Sequence, residues 1–396
     1  MRLARIRLAN VRCHHTLEVE LGAGVNVVVG GNGVGKSSLL EAVCLALQGY
    51  SPRTHRVTDC IGVDEDHLRI EALLAPEPHD VFGGEGVDRD VVAGVATEVS
   101  TERSTLAAVA LSREGERRYT VDGRRLETAD RWAALAPVRT FFPDDLRLVK
   151  GSPRRRRSFV DDLIGARDAE YVLSVGRYTK ALSQRNALLQ RGDIGSQHDP
   201  WEVILAGEGV AIVDTRAREL AAFAPLYARV HAHLSGGIGA GAKLLYRTNV
   251  GELTVDEYRE TLAEQRVGDR RRTFTHSGPH RDDVRFMLDG VDLREAGSQG
   301  EQRTALLALV LGAAEYAASS HCRPILLLDD VMSELDYNRR RALVSLLAED
   351  GQSILTTTDL HHFEEHELER FSVITLGPRR EPGHMARGRG EPRECA

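Results

Sequence analysis

The sequence predicts an α/β protein in which a parallel-sheet lobe is interrupted by a helical insertion. Three observations predict it. A glycine-rich turn, Gly30-Gly31-Asn32-Gly33-Val34-Gly35-Lys36-Ser37, stands between a short apolar run and an apolar helix. A second apolar run, Ile325-Leu326-Leu327-Leu328, ends in Asp329-Asp330. Between the two, residues 145–234 change to long stretches with heptad-like apolar spacing.

Taken in order, residues 1–29 read as strands. Leu17, Val19 and Leu21 alternate, and residues 25–29 form a continuous apolar-rich run of buried type. A helix from about residue 36 to 47 follows, carrying Leu39, Leu40, Val43, Cys44 and Leu47. Residues 67–75, 107–113 and 117–121 read as strands, with Asp122-Gly123 as a hairpin turn. Residues 76–104 are rich in Gly, Asp and Glu and read as a loop or irregular insertion. The helical stretch shows Phe159, Leu163, Tyr171, Val175, Tyr178, Leu182 and Leu188, then Leu205, Ile212 and Leu220. Pro225 is expected to interrupt its last helix. Strand signals return at 243–247 and 284–288, and a helix is expected from about 299 to 319. The run 325–328, a helix near 336–349 and a strand at 353–357 complete a βαβ pattern. The domain reading is therefore 1–144 and 281–377 as two parts of one lobe, 145–280 as a mostly helical lobe, and 378–396 as a disordered tail.

The 396 residues suffice for a large core. No run of 18 apolar residues appears and no signal segment opens the chain, so a cytoplasmic location is expected. The five cysteines are scattered and never spaced as a metal knuckle, so neither a disulfide framework nor a zinc site is indicated. The net charge of -7 means that any contact with nucleic acid must be a local basic patch.

The chemistry expected of the glycine-rich turn is phosphate binding. Gly30, Gly31, Gly33 and Gly35 let the backbone wind tightly, so that the N–H groups of Asn32, Val34 and their neighbours converge on one anion. The helix start at Lys36, Ser37 and Ser38 adds its dipole. Lys36 would reach the β- and γ-phosphates of ATP, and Ser37 would ligate Mg²⁺. Asp329, at a strand end, would hold Mg²⁺, and Asp330 would polarise the attacking water.

At these residues the chain resembles the RecF family of bacterial recombination mediators, relatives of the ABC and SMC ATPases. Residues 32–42 resemble its Walker A segment, and Leu328-Asp329-Asp330 with the following Ser333-Glu334-Leu335-Asp336 its Walker B and D-loop. Phe142-Pro143-Asp144-Asp145-Leu146, residues 178–186, Gly278-Pro279-His280-Arg281-Asp282-Asp283 and Ser298-Gln299-Gly300-Glu301 resemble further motifs of that family. The resemblance implies an ABC-type P-loop ATPase lobe with an inserted helical lobe and no long coiled coil. It also implies ATP-driven homodimerisation, with Ser298 and Gly300 facing the phosphate held by the other subunit, and weak DNA-stimulated ATP hydrolysis. The implied partners are DNA, RecR and RecO-type mediators, and the RecA recombinase to be loaded at gapped DNA. Arg12 would approach an ATP phosphate. The chain departs from ABC ATPases in carrying Asp330 where most have Glu, Glu301 where Gln is usual, and no His at the switch position of the segment 356–359.

Two basic runs, Arg154-Arg155-Arg156-Arg157 and Arg270-Arg271-Arg272, are candidates for DNA phosphates, the first being the denser. His280-Arg281-Asp282-Asp283 imitates a catalytic or metal cluster but reads as structural, bracing the helix at Ser298 against the ATP lobe. The alternative to a recombination mediator is an SMC-like DNA-processing or chromosome-organising ATPase. That reading needs long coiled coils, whereas the predicted helices span at most about 60 Å. A transporter subunit would not need the motif at 278–283, nor a small-molecule kinase the motif at 298–301.

Overall fold

The protein is described by a computed structural model over residues 1–76, 104–126, 136–237, 241–318, 323–349 and 351–377. The insertion expected at 76–104 falls almost wholly outside the described residues, as does the tail from 378.

Two sheets enclose the first helix. The parallel sheet runs β14-β3-β13-β12-β8, built from β3 (Val25–Val29), β8 (Val138–Phe141), β12 (Ile325–Leu328), β13 (Ser353–Thr357) and β14 (Ser372–Thr375). The antiparallel sheet runs β2-β1-β4-β5-β6-β7, from β1 (Arg2–Val11), β2 (His14–Glu20), β4 (His67–Ala75), β5 (Thr105–Ser112), β6 (Arg117–Val121) and β7 (Arg124–Arg125). The expected turn at Asp122-Gly123 joins β6 to β7, with both residues at positive φ. Helix α1 (Lys36–Gln48) lies between the sheets and is buried along nearly all of its length.

Side-chain alternation along the parallel strands decides what packs where. Val28, Leu327 and Ile354 face α1 and the antiparallel sheet, while Val27, Leu328 and Leu355 join the core of the helical part. Both faces are covered at the centre of the sheet, which is why β12 is apolar throughout rather than alternating. Gln352 joins the two sheets. Its side chain accepts from the Leu3 N–H at 2.8 Å and donates to the carbonyls of Leu3 and Gly22, each at 2.7 Å. Leu3 sits beside a register shift between β1 and β4, and Gln352 is buried there.

The helical part comprises α2 (Pro153–Gly165), α3 (Ala169–Gln190), α4 (Asp199–Leu234), α5 (Val255–Glu264) and α6 (Arg266–Arg272). A small sheet, β11-β10-β9, is built from β9 (Lys243–Arg247), β10 (Asp283–Leu288) and β11 (Val291–Asp292). The pairing of β9 with β10 crosses residue 280, where a boundary is expected from the sequence. Helices α7 (Gln299–Ala318) and α8 (Tyr337–Glu349) flank β12 in sequence.

Pro225 does not interrupt its helix, contrary to expectation: α4 runs through it for 36 residues. Leu220, Phe223, Tyr227 and Val230 around it are buried, with Phe223 packed on Gly312 of α7. That burial outweighs the single backbone hydrogen bond a proline removes. At 1.5 Å per residue α4 spans about 54 Å, and the described residues of the helical part contain no long coiled coil.

Candidate functional site

The site forms where the carboxyl ends of β3, β12 and β13 meet, the crevice position of an open parallel sheet. The loop 30–35 leaves β3 and enters α1, with Gly33 and Gly35 at φ 80° and 102°. Gly35 has no room for a side chain. A Cβ there would stand 2.3 Å from His14 Nε2 and 2.6 Å from Cys13 Sγ. His14 Nε2 donates to the Gly35 carbonyl at 3.1 Å, so the β1–β2 turn supports the loop from behind. A Cβ on Gly30 would meet the Leu376 carbonyl at 2.8 Å. Lys36 Nζ donates to the carbonyls of Gly30 and Gly31 at 2.8 and 3.0 Å, which holds the ammonium over the loop. Asn32 and Gly33 at the loop tip are exposed, Val34 packs back beside Gly30, and Ser38 is buried at the helix start.

The two halves predicted from sequence meet directly. Ser37 Oγ donates to Asp329 Oδ1 at 2.9 Å across 292 positions of chain. Thr356, at the end of β13, donates to the same oxygen at 2.7 Å and accepts from the Asp330 N–H at 2.8 Å. Sequence reasoning passed over Thr356. Its signal was its place at the end of the strand between β12 and β3. Asp330 stands in the left-handed region at φ 48°, a conformation that Asp tolerates better than most residues. Ser333 Oγ donates to its Oδ2 at 2.8 Å, while its Oδ1 is buried with no protein partner among the described residues. The segment from Phe142 to Leu146 leaves β8 beside this point, and Asp329 N–H donates to the Phe141 carbonyl. Asp145 caps that turn at the Phe142 N–H, and burial pushes its carboxyl up to about 6.

Hydroxyl and carboxylate oxygens, as at Ser37 and Asp329, are hard donors suited to Mg²⁺, which keeps several of its waters. The buried oxygen of Asp330 that has no protein partner among the described residues offers an acceptor for a water molecule. No group of three or more metal-ligating side chains occurs among the described residues.

Arg12, expected at an ATP phosphate, lies in the turn between β1 and β2. Its guanidinium grips Glu41 of α1 with two hydrogen bonds, at 2.9 and 2.7 Å. Burial of Glu41 opposes its ionisation, yet the hydrogen bonds from Arg12 and Ser51 hold its carboxyl below the usual range. The Ser298–Glu301 segment forms a reciprocal capping box at the start of α7: Ser298 N–H donates to Glu301 Oε2 at 2.8 Å, and Glu301 N–H to Ser298 Oγ at 3.3 Å. Ser298 is exposed and Gly300 half-buried beside Arg339 of α8. Arg303 pairs with Glu334, which ties this helix start to the turn after Asp330.

The basic run at the start of α2, expected as a whole at DNA phosphates, is divided between solvent and core. Arg154 and Arg155 are exposed, but Arg156 is buried, binding Asp283 at 2.7 and 3.0 Å and the Gly151 carbonyl at 2.8 Å. Arg157 is half-buried on the Asp282 carbonyl. The run starts a helix whose inward face lies against the 278–283 motif, so Arg156 faces protein and not solvent. That motif braces α2, α3 and α4 rather than the helix at Ser298. Arg216 of α4 binds Asp282 and the Pro279 carbonyl. His280 accepts from Tyr178 at Nδ1 and donates from Nε2 to the Thr275 carbonyl. Both ring nitrogens are thereby used, and burial lowers the imidazole to about 4, so it stays neutral.

The chain matches the family described as RecF/RecN/SMC N terminal domain over residues 2–377. It is 34% identical over 394 residues to the DNA replication and repair protein RecF of Heliobacterium modesticaldum, spanning 95% of this chain and 97% of that one. To the RecF of Moorella thermoacetica it is 32% identical over 386 residues, 96% of each. A solved structure of the recombination mediator protein RecF-ATP in the RecFOR pathway superposes with a TM-score of 0.75 at 27% identity, covering 91% of this chain and 93% of that one. An Smc head bound to the C-winged helix domain of ScpA shares the fold, with a TM-score of 0.53 at 15% identity over 91% and 90% of the chains. The resemblance first seen in the motifs extends along the chain, and the chain belongs to the RecF family.

Proposed function

We propose that this chain is an ATP-binding switch of recombinational repair, which closes into a homodimer around ATP on DNA and acts with RecR and RecO-type mediators to load RecA at gaps. The observation that carries the reading is the Ser37–Asp329 hydrogen bond. It brings the phosphate loop and the strand-end carboxylate together at one point of the crevice. Bound Mg²⁺ would supply charge neutralisation between the β- and γ-phosphates, with Ser37 and Asp329 as its protein ligands. Lys36 binds the phosphate chain, the loop N–H groups orient it, and Thr356 keeps Asp329 in place. Asp330 holds the attacking water through its unpaired oxygen. Its side chain is one methylene shorter than the usual glutamate, which fits slow turnover, suited to a timer rather than a motor.

Ser298 is exposed on its own chain, and its hydroxyl serves the capping box of α7. This is the disposition of a helix start that meets phosphate across a dimer interface. ATP that touches two chains favours the dimer by linkage. The length of α4 speaks against an SMC-like organiser with long arms. Among the described residues no helix is long and apolar enough to cross a membrane, in keeping with work on DNA in the cytoplasm.

The test is sedimentation of the wild type and Lys36→Met with and without ATP and Mg²⁺. The wild type is expected to shift from monomer to dimer with ATP, while Lys36→Met neither binds ATP measurably nor shifts. A wild type that stays monomeric at saturating ATP would overturn the dimer reading.

A further inference from the structure

We propose that the surface formed by Arg270, Arg271, Arg272 and Arg281 is a contact for the phosphate backbone of duplex DNA; this rests on the reading of the chain as a DNA-acting protein and names where the duplex lies. The segment from Asp269 to Asp283 holds three carboxylates, and each is consumed from inside by a different buried arginine. Asp269 pairs with Arg185 at 2.7 Å, Asp282 with Arg216 at 3.0 Å, and Asp283 with Arg156 at 2.7 Å. The exposed cations of the same segment are left unneutralised. Arg270, Arg271, Arg272 and Arg281 are all exposed, and none has a carboxylate partner among the described residues. In a chain with a net charge of -7 this is a concentrated local excess of positive charge.

The bland account is that basic residues in the last turn of α6 complement its helix dipole. That accounts for one or two cations on a seven-residue helix and leaves Arg281 out. Arg266, at the other end of α6, shows what a structural arginine looks like here: it binds Glu202 and Asp199. The other three arginines of the helix do not.

The geometry favours phosphates over bases. Phe274 is the exposed ring within this segment, and the Arg281 guanidinium lies over it, 5.5 Å from its centre. Single-strand binding needs several free rings on which successive bases stack, and this segment offers one, with a guanidinium over one of its faces. Guanidinium forks are matched to phosphate oxygens. The surface also continues toward the other basic run. Arg157 binds the Asp282 carbonyl and Arg156 binds Asp283, which sets the start of α2, with exposed Arg154 and Arg155, beside this segment.

The experiment measures duplex binding of the full chain, with ATP present, across a salt series. The variants are Arg270→Ala/Arg271→Ala/Arg272→Ala, the same triple to Lys, and Arg117→Ala/Arg118→Ala on β6 as a control. Each phosphate contact contributes about 0.9 to the slope of log K against log salt. The alanine triple is expected to lower that slope by about 2 to 3 and to weaken binding at least tenfold near 100 mM salt. The lysine triple should retain most of the slope, because charge and not fork geometry sets it, while ATP affinity stays unchanged in all variants. An unchanged slope in the alanine triple overturns the proposal and points to a protein partner for this surface. A wild type that binds ATP but no duplex would instead overturn the DNA reading on which the proposal rests.

Discussion

At the residue scale, the two aspartates after β12 divide the work of one site. Asp329 is held at its Oδ1 by Ser37 and Thr356, whereas Asp330 keeps one buried oxygen unpaired among the described residues. Asp330→Asn retains size and hydrogen bonding but not basicity. Single-turnover hydrolysis is expected to fall by about 10² or more, with ATP affinity kept and the ATP dimer longer-lived. Unchanged turnover would assign the water to another group. Gly35→Ala combines a positive φ, which costs an alanine about 1–2 kcal/mol, with a Cβ placed inside contact distance of His14 and Cys13. ATP affinity measured by titration should drop more than tenfold. Gly24→Ala, where a Cβ meets nothing within 4 Å, should leave it unchanged. The phosphate loop and both aspartates were legible because their chemistry is fixed by spacing and by the strand or helix on each side. The arginine pairings were not, since a run of four arginines reads the same whether one of them is buried or all are solvated. Arg156→Met makes the distinction measurable. It strands Asp283 without its cation and should cost about 3–5 kcal/mol, read as a fall in denaturant midpoint. Arg154→Ala should leave that midpoint in place.

At the scale of elements, the start of α7 and the turn after β12 are coupled within one chain through Arg303–Glu334, while the phosphate loop belongs to α1. Ser298→Arg should therefore leave ATP binding by the monomer nearly intact, abolish ATP-driven dimerisation and remove ATPase activity. Mixing it with Lys36→Met builds dimers with one intact composite site, so partial recovery of ATPase is expected if the site is shared. Absence of recovery, together with normal dimerisation of Ser298→Arg in sedimentation, would place the whole site in one chain. Elements themselves were read well where periodicity was strong. The βαβ pattern around 325–357 emerged as β12, α8 and β13. The break expected at Pro225 failed because a local rule was outweighed by apolar packing against α7, a partner about 90 residues away, which no local window of sequence contains.

At the scale of the whole molecule, the parallel and antiparallel sheets share α1 as a common core and are joined by the short link from β2 to β3. The Gln352 side chain adds a non-covalent tie, because one amide group satisfies the backbone of Leu3 and Gly22 at once. Nothing in the sequence around 352 announced this, since a single glutamine before a strand carries no period and no motif. Its consequence lies in how the protein opens. The Leu3 amide can exchange with solvent only when Gln352 lets go, and Gln352 enters β13 at the centre of the parallel sheet. In deuterated buffer the Leu3 amide should therefore exchange as slowly as those of β3 and β13, far more slowly than a residue near the chain start otherwise would. Gln352→Leu should release it to fast exchange while the amides of β13 remain slow, turning one cooperative unfolding unit into two.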